Sequence, residues 1–162
     1  MKKFIIATIA LLMGISAFAQ DGKSIYTKYS DMDGVEAVYI SPAMFRLIGK
    51  IPDLNVGDEG VNIAPLIQSM KGFYVINTER ADIGNNLYGE VELFVKKGKY
   101  ELLLEAKESG EATRIYTVGT ETVINGIVLL AKDGSETSFI AIDGQMDRAQ
   151  LEETIAQAAK DK

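Results

Sequence analysis

The stretch Val123-Ile-Asn-Gly-Ile-Val-Leu-Leu-Ala-Lys-Asp-Gly-Ser-Glu-Thr-Ser-Phe-Ile-Ala-Ile142 decides the fold. It holds two apolar runs, Val123 to Ala131 and Thr137 to Ile142, with Asp133-Gly134 between them. Asp-Gly between apolar runs is the strongest short-range hairpin signal, because Gly accepts the positive φ of a tight turn. The first run is the more apolar and predicts a central strand. Upstream, Thr113 to Val118 reads as another strand, entered through the turn Ser109-Gly110. Before it, Tyr100, Leu102, Leu104 and Ala106 alternate with Glu101, Glu105 and Lys107, which predicts one dry and one wet face. Four strands in succession, joined by tight turns, form an antiparallel sheet.

Helical signals flank this block. Ile25, Tyr26 and Tyr29 share one face of a short helix over 22–30, ended by Asp33-Gly34. Val35 to Ile40 reads as a strand. Ser41-Pro42 opens a second helix, with Ser as cap and Pro at the first position. Met44, Leu47, Ile48 and Ile51 form its expected inner stripe, and Pro52 stops it. Asn62 is a plausible cap for a third helix carrying Ile63, Leu66, Ile67 and Met70. Phe73 to Ile76 is a further strand. Residues 80–96 form the longest helix, with Ile83, Leu87, Val91, Phe94 and Val95 inward and Gly98 at its end. Gly84 and Gly89 weaken it by about 1 kcal/mol each relative to Ala. A last helix starts at Asp147, with Gln150 at the capping-box position, Met146 stapling onto Leu151, and Leu151, Ile155 and Ala158 inward. The order predicts an α+β fold: an antiparallel sheet of four consecutive C-terminal strands plus one or two earlier ones, with helices packed on one face.

The chain has 162 residues, and no Cys, His or Trp. Missing Cys removes disulfides, thiolate metal sites, catalytic thiols and lipoprotein acylation. Missing His removes imidazole bases and the triads built on them. The formal net charge of −6 lacks the basic footprint of nucleic-acid binding.

Residues 1–19 have the pattern of a cleaved secretory signal: Lys2-Lys3, the apolar run Phe4 to Ile15, and an Ala17-Phe18-Ala19 site before Gln20. The run is too short to span a bilayer. Cleavage leaves residues 20–162 as a single domain, with 15 bases against 23 acids and a charge of −8. A first mature residue of Gln20 predicts a soluble periplasmic or secreted protein without a stable membrane anchor.

Candidate chemistry is sparse. Asp53, Asn55, Asp58 and Glu59 supply hard oxygens, but the EF-hand count fails, with Gly57 at position 5 and Ala64 at position 12. Asp31-x-Asp33-Gly34 reads as a helix exit. The dense carboxylate pairs are Glu90 with Glu92, Glu101 with Glu105, and Glu152 with Glu153. Each falls on a polar face, where charge solvates the surface. Tyr26, Tyr29, Tyr39, Tyr74, Tyr88, Tyr100 and Tyr116 are available to line a recognition surface. No phosphate loop or nucleophile elbow is present. No catalytic residue, cofactor site or metal site is assigned.

Three segments carry a resemblance: Ile25 to Tyr29 leading into Val35 to Ile40, the block Ile40-Ser41-Pro42-Ala43-Met44-Phe45, and Ile142 to Met146 before the final helix. Together, across residues 22–160, they resemble domain-of-unknown-function family 4252, small exported proteins of Bacteroides-type bacteria. The resemblance implies export, a single α+β domain and genes near envelope-signalling regulators. It brings no catalytic residue. The expectation is an exported non-enzymatic binding or regulatory domain with a protein partner in the cell envelope, docking on the exposed sheet face or an edge strand. The alternatives are a carboxylate-based hydrolase acting on glycan or envelope polymer, and a structural component of an envelope assembly.

Overall fold

A computed structural model describes residues 21–50, 55–56, 61–62 and 64–160. The signal segment and most of the Asp53 to Glu59 loop lie outside these residues. The elements run α1 Gly22–Tyr29, β1 Val35–Ile40, α2 Pro42–Ile48, β2 Asn55–Val56, β3 Val61–Asn62, α3 Ala64–Ser69, β4 Met70–Thr78, α4 Ala81–Lys97, β5 Glu101–Glu108, β6 Glu111–Gly119, β7 Val123–Asp133, β8 Glu136–Asp147 and α5 Arg148–Lys160.

Six strands form one antiparallel sheet in the order β1-β4-β8-β7-β6-β5, and β2 pairs with β3 separately. The fold is therefore α+β, and both earlier strands join the C-terminal four. The Asp-Gly hairpin closes on the pair Asp133–Glu136, with Gly134 at φ 56°. β8 then inserts between β4 and β7, so the long hairpin is the middle of the sheet.

α1 and α4 lie on one face. Ile25 and Tyr29 from α1, and Ile83, Leu87, Val91, Phe94 and Val95 from α4, meet Tyr74, Ile76, Val128, Leu130, Phe139 and Ala141 from the sheet. All are buried, and Leu87, Leu130 and Phe139 are fully so. Burying each such side chain contributes roughly 1.5–3 kcal/mol, so this layer is the main source of stability. A second buried group, Phe45, Ala64, Ile124 and Met146, lies outside this cluster. α2 packs on α3 and β4, while α3 and α5 contact β8.

Local signals act largely as read. The Met44 N–H donates to Ser41 Oγ at 3.3 Å, with Pro42 beside the cap. The Gln150 N–H donates to Asp147 Oδ1 at 2.9 Å. Met146 is buried and Leu151 half-buried, while Ile155 and Ala158 are not described at side-chain level.

Four expectations change. α2 ends at Ile48, short of Ile51. Its inner stripe is Pro42, Phe45 and Ile48, whereas Met44 and Leu47 are exposed. Met70 opens β4 instead of closing α3. β5 has no dry face: all eight of its residues are exposed at the sheet's outer edge. A bulge between Leu102 and Leu104 also breaks its alternation.

Candidate functional site: the open face of the sheet

Neighbouring side chains on a strand point to opposite faces. The register therefore assigns every strand residue to the helix-covered face or to the other one. On the other face, Val38, Val75, Ile140, Leu129, Ile115 and Leu104 stand in one unbroken row across all six strands. Ile40, Phe73, Ile142 and Ile127 form the next row. Thr117 and, on β5, Glu101 complete that row, and the Thr117 hydroxyl donates back to the Gly126 carbonyl at 3.1 Å.

These two rows hold ten large apolar side chains. The interior members are partly buried, while Val38 and Leu104 at the two edges are 50% and 47% exposed. Leu130 and Phe139, one residue away on the same strands, are 0% exposed. A contiguous apolar surface of this kind is the usual mark of an interaction site.

Its surroundings are polar in a patterned way. One row toward the hairpin end carries Glu36, Asn77 and Ser138, with Ser138 Oγ donating to Asn77 Oδ1 at 2.8 Å. Beyond it, Glu108 pairs with Glu111 and Asp133 with Glu136, on the same side by alternation. The strand bases Lys107, Arg114 and Lys132 fall on the helix side. There Lys107 pairs with Glu105 at 2.8 Å, and Lys132 donates to Asn85 of α4 at 2.6 Å. At the opposite end Lys71 is exposed at the β4 bulge, and Glu101 stands on this face at the β5 corner.

The helix layer carries a second feature, a groove between α1 and α4 lined by Ser24, Lys28, Met32, Asn86, Leu93 and Lys97. Glu90 accepts from Lys28 Nζ at 2.6 Å and from the Tyr29 hydroxyl at 2.7 Å. Burial pushes the Glu90 carboxyl up, but these two donors win and hold it below its ordinary range. Burial, then the Glu90 carboxylate, pushes the Tyr29 phenol well above its ordinary range.

The carboxylate pairs seen in the sequence are separated. Glu90 serves α1, whereas Glu92 pairs with Arg114. Glu105 also holds Arg114, at 2.6 Å, while Glu101 lies on the open-face side at the edge. Glu152 and Glu153 are exposed on α5. Asp33 contributes only its carbonyl, to Arg80 at 3.3 Å, and Gly34 turns the chain at φ 82°. Among the described residues no group of three or more Asp or Glu is placed to hold a metal ion.

Sequence reading missed Asp143. It sits on the helix side of β8 and accepts the Gly22 N–H of α1 at 2.9 Å. Burial, then the charge of Asp21, raises its carboxyl to about 7. Burial, then Asp143, raises the phenols of Tyr74 and Tyr100 well above their ordinary range. Its partner Gly22 is 121 positions away, so no spacing announces the site. The tyrosines cluster in part: Tyr39 stacks on Tyr74 at 5.2 Å, and Tyr26 lies 5.8 and 5.7 Å from them.

Together these features define an α+β domain whose sheet has one face packed under α1 and α4 and a second face carrying two apolar rows. The chain belongs to the family described as Domain of unknown function (DUF4252), whose model matches residues 29–154. That bears out the resemblance carried by Ser41 to Phe45 and its flanking segments. No curated protein and no solved structure matches the chain. Among the described residues no helix is long and apolar enough to cross a membrane.

Proposed function

We propose that this protein is an exported, non-enzymatic binding domain that docks a protein partner of the cell envelope on its open sheet face. The observation that carries the reading is the unbroken aliphatic row from Val38 to Leu104. Leaving that much apolar surface in water is unfavourable by about 25 cal/mol per Å², and covering it recovers that free energy. The leader pattern of residues 1–19 supports export, and the absence of Cys and His from the sequence supports binding over chemistry. A regulatory role in envelope signalling is the form of this reading we favour.

Two measurements test it. The protein recovered from cells expressing the full chain should begin at Gln20 by mass and fractionate outside the cytoplasm; a product retaining residues 1–19 refutes export. Capture from envelope extract should recover a reproducible partner with the native chain and lose it with Leu129→Glu. A partner retained equally by both moves the docking site elsewhere.

A second reading, hydrolysis of glycan or envelope polymer, is favoured by one observation. Asp143 has its carboxyl raised to about 7, in the range of a general acid. Asp143→Asn should then abolish release of soluble fragments from envelope polymer. Without such release from the native protein this reading fails.

A further inference from the structure

We infer that the cluster of acids and phenols around Asp143 is the seat of the chain's own amino terminus, created when the leader is removed after Ala19. The inference rests on the reading of residues 1–19 as a cleaved signal and says what that cleavage builds.

The first argument is the shape of the site. Asp143 has a glycine on each side in the sheet, Gly72 on β4 and Gly126 on β7. A side chain at Gly72 would collide with the Tyr74 hydroxyl, and one at Gly126 would stand 3.0 Å from the Tyr100 hydroxyl. The two bare positions let one phenol reach toward Asp143 from each side. Tyr74 is 4% exposed, and its hydroxyl makes no hydrogen bond to another described residue. Tyr39 stacks on Tyr74, and Tyr26 of α1 leans on both rings. Asp21 and Tyr39 are the exposed members of the cluster.

The second argument is charge. The groups that act on Asp143 and on the two phenols are Asp21, Asp143 and Tyr39, all of them acidic. Among the described residues no ion pair includes Asp21 or Asp143. Burial beside a second carboxylate favours the protonated form, and Asp143 is raised to about 7. An ammonium, with one positive charge and three N–H donors, complements this set of oxygens.

The third argument is where the processed chain begins. Hydrolysis of the Ala19–Gln20 amide consumes one water, leaves a carboxylate on Ala19 and frees the Gln20 nitrogen as an ammonium. Before the cut that nitrogen is a neutral amide. Gly22 already donates its N–H to Asp143 Oδ2 at 2.9 Å. Two residues span at most about 7 Å, so the Gln20 nitrogen is tethered within about 10 Å of that carboxyl. A tether this short supplies the cation at an effective concentration of about millimolar or more. The new ammonium pairs with Asp143 and Asp21 and pins the start of α1 to the sheet. Holding Asp143 as a carboxylate makes the stability lost between pH 4 and 7 smaller in the processed chain than in one with a blocked amino terminus.

Mass spectrometry and nuclear magnetic resonance on the protein recovered from cells expressing the full chain test this. The amine is labelled by isotopic reductive methylation, which keeps its charge. An amino-terminal glutamine can cyclise and lose its amine, so Gln20→Ser is measured beside the native chain. The amine should bind its proton about tenfold more tightly with Asp143 in place than in the Asp143→Asn variant. Its methyl groups should show Overhauser contacts to the rings of Tyr74 and Tyr100. If Asp143→Asn does not fold, those contacts carry the test alone.

Equal proton affinity with and without Asp143, or a labelled amine in contact with neither ring, overturns the inference. If the mass then shows a chain beginning at Gln20, the export reading stands without it. A mass that does not begin at Gln20 removes that reading and this inference together.

Discussion

The two faces of the sheet are built from the same residue types in adjacent positions, and they do different work. Leu129 and Leu130 are neighbours on β7, as are Phe139 and Ile140 on β8. Leu130 and Phe139 are sealed under α1 and α4, while Leu129 and Ile140 stand on the opposite face and are only partly buried. Hydropathy does not distinguish them. Pleat parity and the placement of two helices do. The helix face holds the fold together, and the open face is kept apolar at a cost to the isolated chain. Such a surface is retained where a partner covers it.

The largest expected difference follows directly. Phe139→Ala should destabilise the protein by about 3–5 kcal/mol, since it opens a cavity in a fully buried site. Ile140→Ala should cost less, about 1–2 kcal/mol, because that side chain is only partly buried to begin with. Urea denaturation of the two variants reads the contrast, and equal losses would break it.

Asp143 is the next lever, because it is the polar exception within the helix face. Its carboxyl is raised from 3.8 to about 7, so the fold binds the proton more tightly than the unfolded chain does. Between pH 4 and about 7 the native state therefore carries more protons, and stability falls as pH rises through that window. The loss reaches up to about 4 kcal/mol and is complete above pH 7. Asp143→Asn should flatten this slope and raise stability at pH 8 by a few kcal/mol. A native profile that rises between pH 4 and 7 would contradict the assignment.

A smaller pair of effects sits within α4, where one helix has a side against the sheet and a side away from it. A Cβ at Gly84 would come within 2.6 Å of Thr137 Oγ1 on β8, whereas Gly89 has nothing within 4 Å. Gly89→Ala should stabilise by about 1 kcal/mol through helix propensity and unfolded-state entropy. Gly84→Ala should destabilise by about 1–2 kcal/mol, by forcing the helix off the sheet. Thermal unfolding of both variants shows whether α4 packs as closely as described.

Much of the fold is legible from local chemistry. Asp133-Gly134, Ser41-Pro42 and Asp147 with Gln150 each set a turn or a cap through groups a few residues apart, and each acts in place. The open face is less legible. Ile127 to Ala131 is an apolar run, and such a run marks a central strand without saying whether both faces are covered. β7 is indeed central, yet its Leu129 side is less buried than its Leu130 side. Leu102 and Leu104 mislead for a related reason. Alternation assumes a regular strand with a covered face, and a bulge at an uncovered edge removes both conditions. Asp143 is illegible in principle, because its environment is made by α1 across the length of the chain. The pairs Glu90–Glu92 and Glu101–Glu105 show the converse. They are close in sequence and are drawn to different partners by the fold.

The asymmetry of the two faces is tested most directly by placing the same charge on each. Leu129→Glu and Leu130→Glu differ by one position and should be compared by thermal unfolding under identical conditions. Leu129→Glu should keep a cooperative transition, because its carboxylate stays at the surface of the open face. Leu130→Glu should show none, because burying an unpaired carboxylate costs more than a marginally stable domain can lose. Loss of the transition in both variants, or its survival in both, would contradict the account.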